Sequence, residues 1–221
     1  MKEGQYWEKR YSSGGNSGAY SIAWKWGVID RYLPELNHVL DIGCGDLNFW
    51  EGRDCEDYVG IDISKTVIEK NRKKRPKWQF FCTSGEKRID GLKKQIVFCL
   101  DVLMHVMDTK SFLKILHNLC HYSTEYIFIH TWKNNIFDNR TRLKRFLHYL
   151  MKFDIIKALD MLKNIKVKKP QRHRVTDGKY QYFRNLECYL DIFREYGFEL
   201  LRIEENPDKF GALYIFRKKI S

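Results

Sequence analysis

Two short apolar runs in this chain each end in a carboxylate, and a glycine pair follows the first. The segment Val39-Leu40-Asp41-Ile42-Gly43-Cys44-Gly45-Asp46 closes a strand-like run with an acid and two glycines one residue apart. Glycine has no Cβ and tolerates positive φ, so such a junction lets backbone come close to a bound ligand. About twenty residues later, Tyr58-Val59-Gly60-Ile61-Asp62-Ile63 repeats the pattern of an apolar run ending in an acid. At the end of a second parallel strand, an acid at that distance can accept hydrogen bonds from ribose hydroxyls. These residues predict a nucleotide-like ligand.

A dinucleotide is the competing ligand, because acidic second strands occur there too. Its fingerprint requires a third glycine, three residues after the second, for close helix–strand packing. Position 48 is Asn48, followed by Phe49 and Trp50. The third glycine is absent.

The elements that must hold these residues follow from hydrophobic periodicity. Helices are predicted over Trp24–Leu33, Lys65–Arg75, Ser111–Cys120 and Tyr182–Tyr196. Ser64 is the expected N-cap of the second of these and Pro76 its stop. Gly197 closes the last in the position that favours glycine. Strands are predicted over Val39–Ile42, Trp78–Cys82, Ile96–Leu100, Tyr126–His130, Phe198–Ile203 and Ala212–Arg217, besides the run ending at Asp62. Alternating strands and helices imply a doubly wound, mostly parallel sheet, with the closing pair adding an antiparallel strand.

The order Asp41-Ile42-Gly43-Cys44-Gly45, Gly60-Ile61-Asp62, then Phe98-Cys99-Leu100-Asp101-Val102-Leu103 resembles the class I S-adenosylmethionine-dependent methyltransferases. The closing helix, Gly197-Phe198 and two strands resemble that family as well. The likeness covers residues 37 to 132 and 181 to 219, and its motifs occur in the family's order and spacing. It implies an α/β, Rossmann-like fold with a seven-stranded sheet, a C-terminal antiparallel strand and a helical basic insertion. Two departures stand out. After the third strand the family often carries an acid near adenine, whereas here the chain reads Phe81-Cys82-Thr83-Ser84-Gly85-Glu86. The segment Leu100-Asp101-Val102-Leu103-Met104-His105 is similar to small-molecule members, not to the Asp/Asn-Pro-Pro-aromatic signature of DNA amine methyltransferases. No cysteine precedes a proline, so the usual cytosine-C5 nucleophile is missing too.

The resemblance implies roles residue by residue, with S-adenosylmethionine as cofactor. Asp41, Gly43, Cys44 and Gly45 would line its methionine and ribose portion. Asp62 would bind the ribose hydroxyls beside Ile63, and adenine would meet Thr83, Ser84 or backbone amides. Leu100 and Asp101 would close the pocket at the fourth strand, unless Asp101 only caps the next helix. Methyl transfer is a displacement in which the protein aligns the acceptor and removes its proton where needed. His105 and His130 lie just beyond strand ends on the cofactor side, and histidine is the side chain suited to taking a proton near neutral pH, so they are the candidate catalytic bases.

The segment from Tyr6 to Gly18 joins aromatics to a glycine/serine run. Within the single domain spanning 1–221, residues 1–22 are read as a mobile lid over the ligand, with a disordered tail the alternative. Tyr6, Trp7, Tyr11 and Tyr20 are costly to leave in water, which favours the lid. Tyr11 is the cofactor contact expected from it, and Tyr6 and Trp132 are weaker substrate contacts.

Charge separates the function classes further. The 221-residue chain carries a formal net charge of +12, with 43% hydrophobic and 15% aromatic residues, as suits a globular core. Residues 133 to 180 hold 14 Lys or Arg against four Asp, a net of +10, leaving +2 elsewhere. Within this basic insertion, Leu143, Phe146, Leu147, Leu150, Met151, Ile155, Ile156, Leu159 and Leu162 recur at helical spacing, and residues 163–174 form a basic loop. A substrate cap there could receive a small anionic or sugar-containing acceptor, or a lipid-linked glycan. It could also dock on an anionic membrane surface or contact RNA phosphates, or serve only as a solvated cationic face. A cofactor-binding partner subunit without turnover is a further alternative. Met1-Lys2-Glu3-Gly4-Gln5 carries no apolar stretch, so no secretion signal is expected, and no run approaches the roughly 18 residues of a membrane span. The six cysteines form no CxxC and imply a reduced, cytoplasmic protein with no metal site, associated with membranes at most peripherally.

Overall fold

The computed structural model describes residues 3–17, 21–33, 35–133, 174–176, 179–181, 183–207 and 211–219. The basic helical insertion expected at 133–180 lies outside these residues, apart from Lys133 and two short strands. Helix α1 (Glu3–Ser12) and α2 (Ile22–Tyr32) precede β1 (His38–Ile42). Then come β2 (Asp57–Asp62), α3 (Lys65–Lys74), β3 (Gln79–Cys82), β4 (Lys94–Leu100), α4 (Thr109–Tyr122) and β5 (Ser123–Trp132). After β6 (Arg174–Thr176) and β7 (Lys179–Gln181) come α5 (Glu187–Glu195), β8 (Phe198–Glu205) and β9 (Gly211–Lys218).

Seven strands form one sheet in the order β3-β2-β1-β4-β5-β9-β8. The first five are parallel, and β9 runs antiparallel between β5 and β8. The predicted doubly wound sheet with an antiparallel C-terminal strand is therefore the fold observed. The central strands read as unbroken apolar runs because both faces are covered. Alternate residues serve the two layers: Leu40, Ile42, Val97, Cys99, Ile127 and Ile129 pack with α4 and α5. Val39, Ile96, Phe98 and Phe128 face the opposite way, onto α2 and α3.

Most predicted helices and strands recur within one or two residues at each end, and the caps explain their starts. Ser64 accepts from the Val67 N–H at 3.3 Å and opens α3, as expected. Asp108, not Asp101, caps α4, accepting from Ser111 N–H at 2.7 Å. Residues 3–12, within the segment read as a lid, form a helix. Two expectations need correcting. The closing helix starts at Glu187 rather than Tyr182, because Lys179–Gln181 pairs with Arg174–Thr176 in an antiparallel ribbon. Arg174, expected in the basic loop, instead begins that ribbon. Among the described residues, no helix is long and apolar enough to cross a membrane.

Candidate functional site

The loop after β1 is built around the end of β2. Gly43 and Cys44 both donate backbone N–H to the Ile61 carbonyl, at 2.7 and 3.1 Å. Gly43 has φ 78°, and a Cβ there would stand 2.2 Å from Val102 Cγ2, so two separate constraints demand glycine. Gly45 then donates its N–H to Asp62 Oδ2 at 3.0 Å, while Ser64 N–H meets Oδ1 at 2.9 Å. Each Asp62 oxygen thus keeps an acceptor lone pair. Burial pushes the Asp62 carboxyl up to about 6, against the lowering by these backbone donors.

Asp41 has a different setting. Its Oδ2 accepts from Trp50 Nε1 at 2.8 Å and from Tyr58 OH at 3.1 Å. Burial likewise pushes its carboxyl up to about 6. Asn71 of α3 fixes the loop from below, donating to the Gly45 carbonyl at 2.6 Å.

At the end of β4 the backbone is strained: Asp101 adopts φ 61°, a left-handed conformation that non-glycine residues seldom take. Its N–H donates to the His130 carbonyl at 3.1 Å. Its Oδ1 lies 2.5 Å from His130 Nδ1, and its Oδ2 is ion-paired with Lys25 Nζ. Lys25 is 2% exposed and His130 7%, whereas the Asp101 side chain is 43% exposed. Desolvation would raise the Asp101 carboxyl, but His130 and Lys25 outweigh it and hold it well below the usual carboxylate range.

These groups meet around a cavity of about 150 Å³ at the carboxyl ends of β1, β2 and β4. Asp41, Gly43, Cys44, Asp62, Ile63, Ser84, Leu100, Asp101, Tyr11 and His105 all line it. Gly45 is not in its wall and acts through its hydrogen bond to Asp62. His130 stands behind Asp101, outside the wall. Helix α1 roofs the cavity with Trp7 and Tyr11, four residues apart on one helical face. Trp7 meets the His105 ring edge-to-face at 5.3 Å between centroids. Glu8 accepts from Ser64 Oγ at 2.6 Å and Thr66 Oγ1 at 2.5 Å, and Lys70 Nζ donates to the Tyr11 carbonyl at 3.2 Å. Ser17 adds a bond from its N–H to Asp46 at 3.2 Å. Burial, with Asp62 and Asp46 nearby, pushes the Tyr11 phenol far up, so it stays neutral and able to donate.

Sequence reasoning missed Lys25. Its signal was present: Lys25, Val28 and Ile29 fall at helical spacing and are all buried, which sets the lysine on the apolar face of α2. A lysine on that stripe requires a partner anion. Phe49, Val102 and Ile115 also line the cavity unannounced.

A parallel five-strand core closed by an antiparallel β9-β8 pair, with a glycine loop and a strand-end acid on one cavity, defines the class I S-adenosylmethionine-dependent methyltransferase fold. Residues 26–203 match the family model described as a methyltransferase domain, and the chain belongs to that family. Solved structures agree in fold. The N-methyltransferase NodS from Bradyrhizobium japonicum, in complex with S-adenosyl-L-homocysteine, superposes with TM-score 0.63 at 11% identity over 100% of both chains. Magnesium protoporphyrin IX methyltransferase from Synechocystis with bound S-adenosylmethionine gives 0.59 at 11% identity, covering 99% of this chain and 98% of that one. An S-adenosylmethionine-dependent methyltransferase from Clostridium acetobutylicum gives 0.60 at 10% identity, over 91% and 93%. No curated protein matches the sequence.

Proposed function

We propose that this chain transfers a methyl group from S-adenosylmethionine to an oxygen or nitrogen of a small acceptor, anionic or sugar-containing. The observation that carries the reading is Asp62: a buried carboxylate on the cavity wall, pinned by two backbone N–H groups, with one lone pair left on each oxygen. Two adjacent ribose hydroxyls are a complementary pair of donors. The loop at Gly43 leaves backbone bare for the amino-acid portion, and Ile63, Thr83 and Ser84 offer an apolar and hydroxylic wall for adenine. The residues present fit the cofactor.

When bound, the cofactor supplies an activated methyl on a sulfonium. The protein's part is to align, enclose and deprotonate. Trp7 and Tyr11 exclude water from above, in keeping with a lid role for residues 1–22. His105 on the wall and His130 behind Asp101 are the groups able to hold an acceptor proton. The excess of +10 over residues 133–180, directly after β5, supports an acceptor carrying negative charge.

The test uses the full chain. Calorimetry with S-adenosylmethionine should show one site, and labelled methyl should pass to anionic compounds in a low-mass metabolite fraction. Absence of binding would remove the reading. Label recovered only on RNA would move it to nucleic acid.

A further inference from the structure

We infer that Arg184 is a positioning residue: it ties the chain returning from the basic insertion to the cavity wall, so that cofactor binding and the insertion are coupled. This rests on the methyl-transfer reading above and adds regulation to it. The return of the insertion becomes firmer once the methyl donor is seated.

The wall after β4 is a tight turn. Asp101 enters it at φ 61°, His105 N–H donates to the Val102 carbonyl at 2.8 Å, and Val106 N–H to the Leu103 carbonyl at 3.3 Å. Just beyond it, the carbonyls of Val106 and Met107 accept from Arg184, at 2.8 Å from Nη1 and 3.4 Å from Nη2. The same guanidinium lies over the Phe112 ring, 4.0 Å from its centroid, and the residue is 8% exposed. A planar fork suits two successive carbonyls and an aromatic face at once, which an ammonium does not. Burying a cation is costly unless its donors are met, so parting the turn from Arg184 is unfavourable.

Arg184 stands three residues after β7, the strand that brings the chain back from the insertion. Strand β7 itself packs beside the Leu103–His105 turn. Two separate contacts therefore fasten that return to the wall, one through backbone packing and one through a buried side chain.

At its other end the turn presses on the glycine loop. Val102 and His105 line the cavity, and a Cβ at Gly43 would stand 2.2 Å from Val102 Cγ2. Gly43 in turn donates to the Ile61 carbonyl, one residue before Asp62. Close-packed interiors transmit displacement rather than absorb it. A ligand that fixes Gly43 and Asp62 thus fixes Val102, then the turn, and through Arg184 the chain leaving β7. The links are physically contiguous, and coupling of this kind is reciprocal. An acceptor held at the insertion raises affinity for the cofactor by the same factor as the cofactor raises affinity for the acceptor.

The experiment is amide hydrogen exchange on the full chain, with and without S-adenosylhomocysteine, alongside calorimetry with the same ligand. Exchange should slow over 43–45 and 102–107, and by about fivefold or more over Arg174–Thr176 and Lys179–Gln181. Edge strand β8 is the reference, because stabilisation against global unfolding alone slows it as much as the ribbon. In Arg184→Met, slowing over 43–45 should persist with ligand affinity within about threefold, while the ribbon stops responding. Arg184→Lys, which keeps the charge without the fork, should fall between the two and decides the matter if the methionine variant does not fold. A purely structural Arg184 would lower the urea midpoint of both variants yet leave the ribbon's response intact. That result, equal slowing of ribbon and β8, or a ribbon that never responds in the unaltered chain would overturn the inference. No calorimetric binding and no slowing over 43–45 would instead defeat the cofactor reading beneath it.

Discussion

Asp62 and Asp101 end two strands of one sheet and face one cavity, yet their surroundings differ in every respect that sets carboxylate chemistry. Asp62 is buried among backbone N–H donors, makes no ion pair among the described residues, and is pushed up to about 6. Asp101 is partly exposed, strained to φ 61°, and held far down by His130 and Lys25. Environments that push two carboxyls apart assign them different tasks. Asp62 is suited to accept from neutral hydroxyls. Asp101 is suited to remain an anion that orders its neighbours.

Asp62→Ala breaks the first half of the comparison and should have the largest effect. Loss of a charged acceptor for two hydroxyls costs about 3–5 kcal/mol, so S-adenosylmethionine affinity by calorimetry should fall at least about a hundredfold. Unchanged affinity would place the ribose elsewhere.

The second test reads sign. Because the folded chain holds the Asp62 proton up to about 6, it binds more protons than the unfolded chain between roughly pH 4 and 6. Stability of the ligand-free protein should therefore fall by up to about 3 kcal/mol from this group as pH rises through that window. Asp62→Asn should remove its share of that slope and leave the part due to Asp41, which burial also pushes up to about 6. Asp101 has the opposite sign: its stabilisation is present above the ordinary carboxylate pKa and is lost as pH falls below about 4. Urea midpoints from pH 3 to 8 for both Asn variants would show two slopes of one sign if the contrast is wrong.

Lys25→Met should cost about 1–3 kcal/mol in urea, less than a fully buried pair because Asp101 is 43% exposed on its side chain. Glu8→Gln should be mildest. It weakens the bonds to Ser64 and Thr66, so amide exchange over residues 3–12 should accelerate while the β1 and β4 amides keep their protection. Equal acceleration throughout would mean that α1 is not a separable cover.

The contrast was half legible in the chain. Strands, glycines and the acids at 41, 62 and 101 could be placed because each belongs to a local pattern: a period of two, a turn needing positive φ, a strand end. The unlike environments could not be placed, since they arise from tertiary neighbours. Lys25 reads as a surface lysine until α2 docks on β4, although its helical spacing with Val28 and Ile29 hinted otherwise. Helix α1 was hidden by the glycine/serine run that follows it, and only the four-residue interval between Trp7 and Tyr11 marked a face. The pairing of Arg174–Thr176 with Lys179–Gln181 depends on strand partnership, which no single short segment reveals.

The close approach of Gly43 to Val102 bears on how this site can change over time. A side chain at position 43 collides with Val102 Cγ2 and also faces an unfavourable φ. Trimming residue 102 relieves only the collision, and leaves a gap against the β4 turn. No single replacement at 43 is therefore neutral, and the first of any two is already harmful. The loop is isolated in sequence space: it has no gradual way out of this glycine.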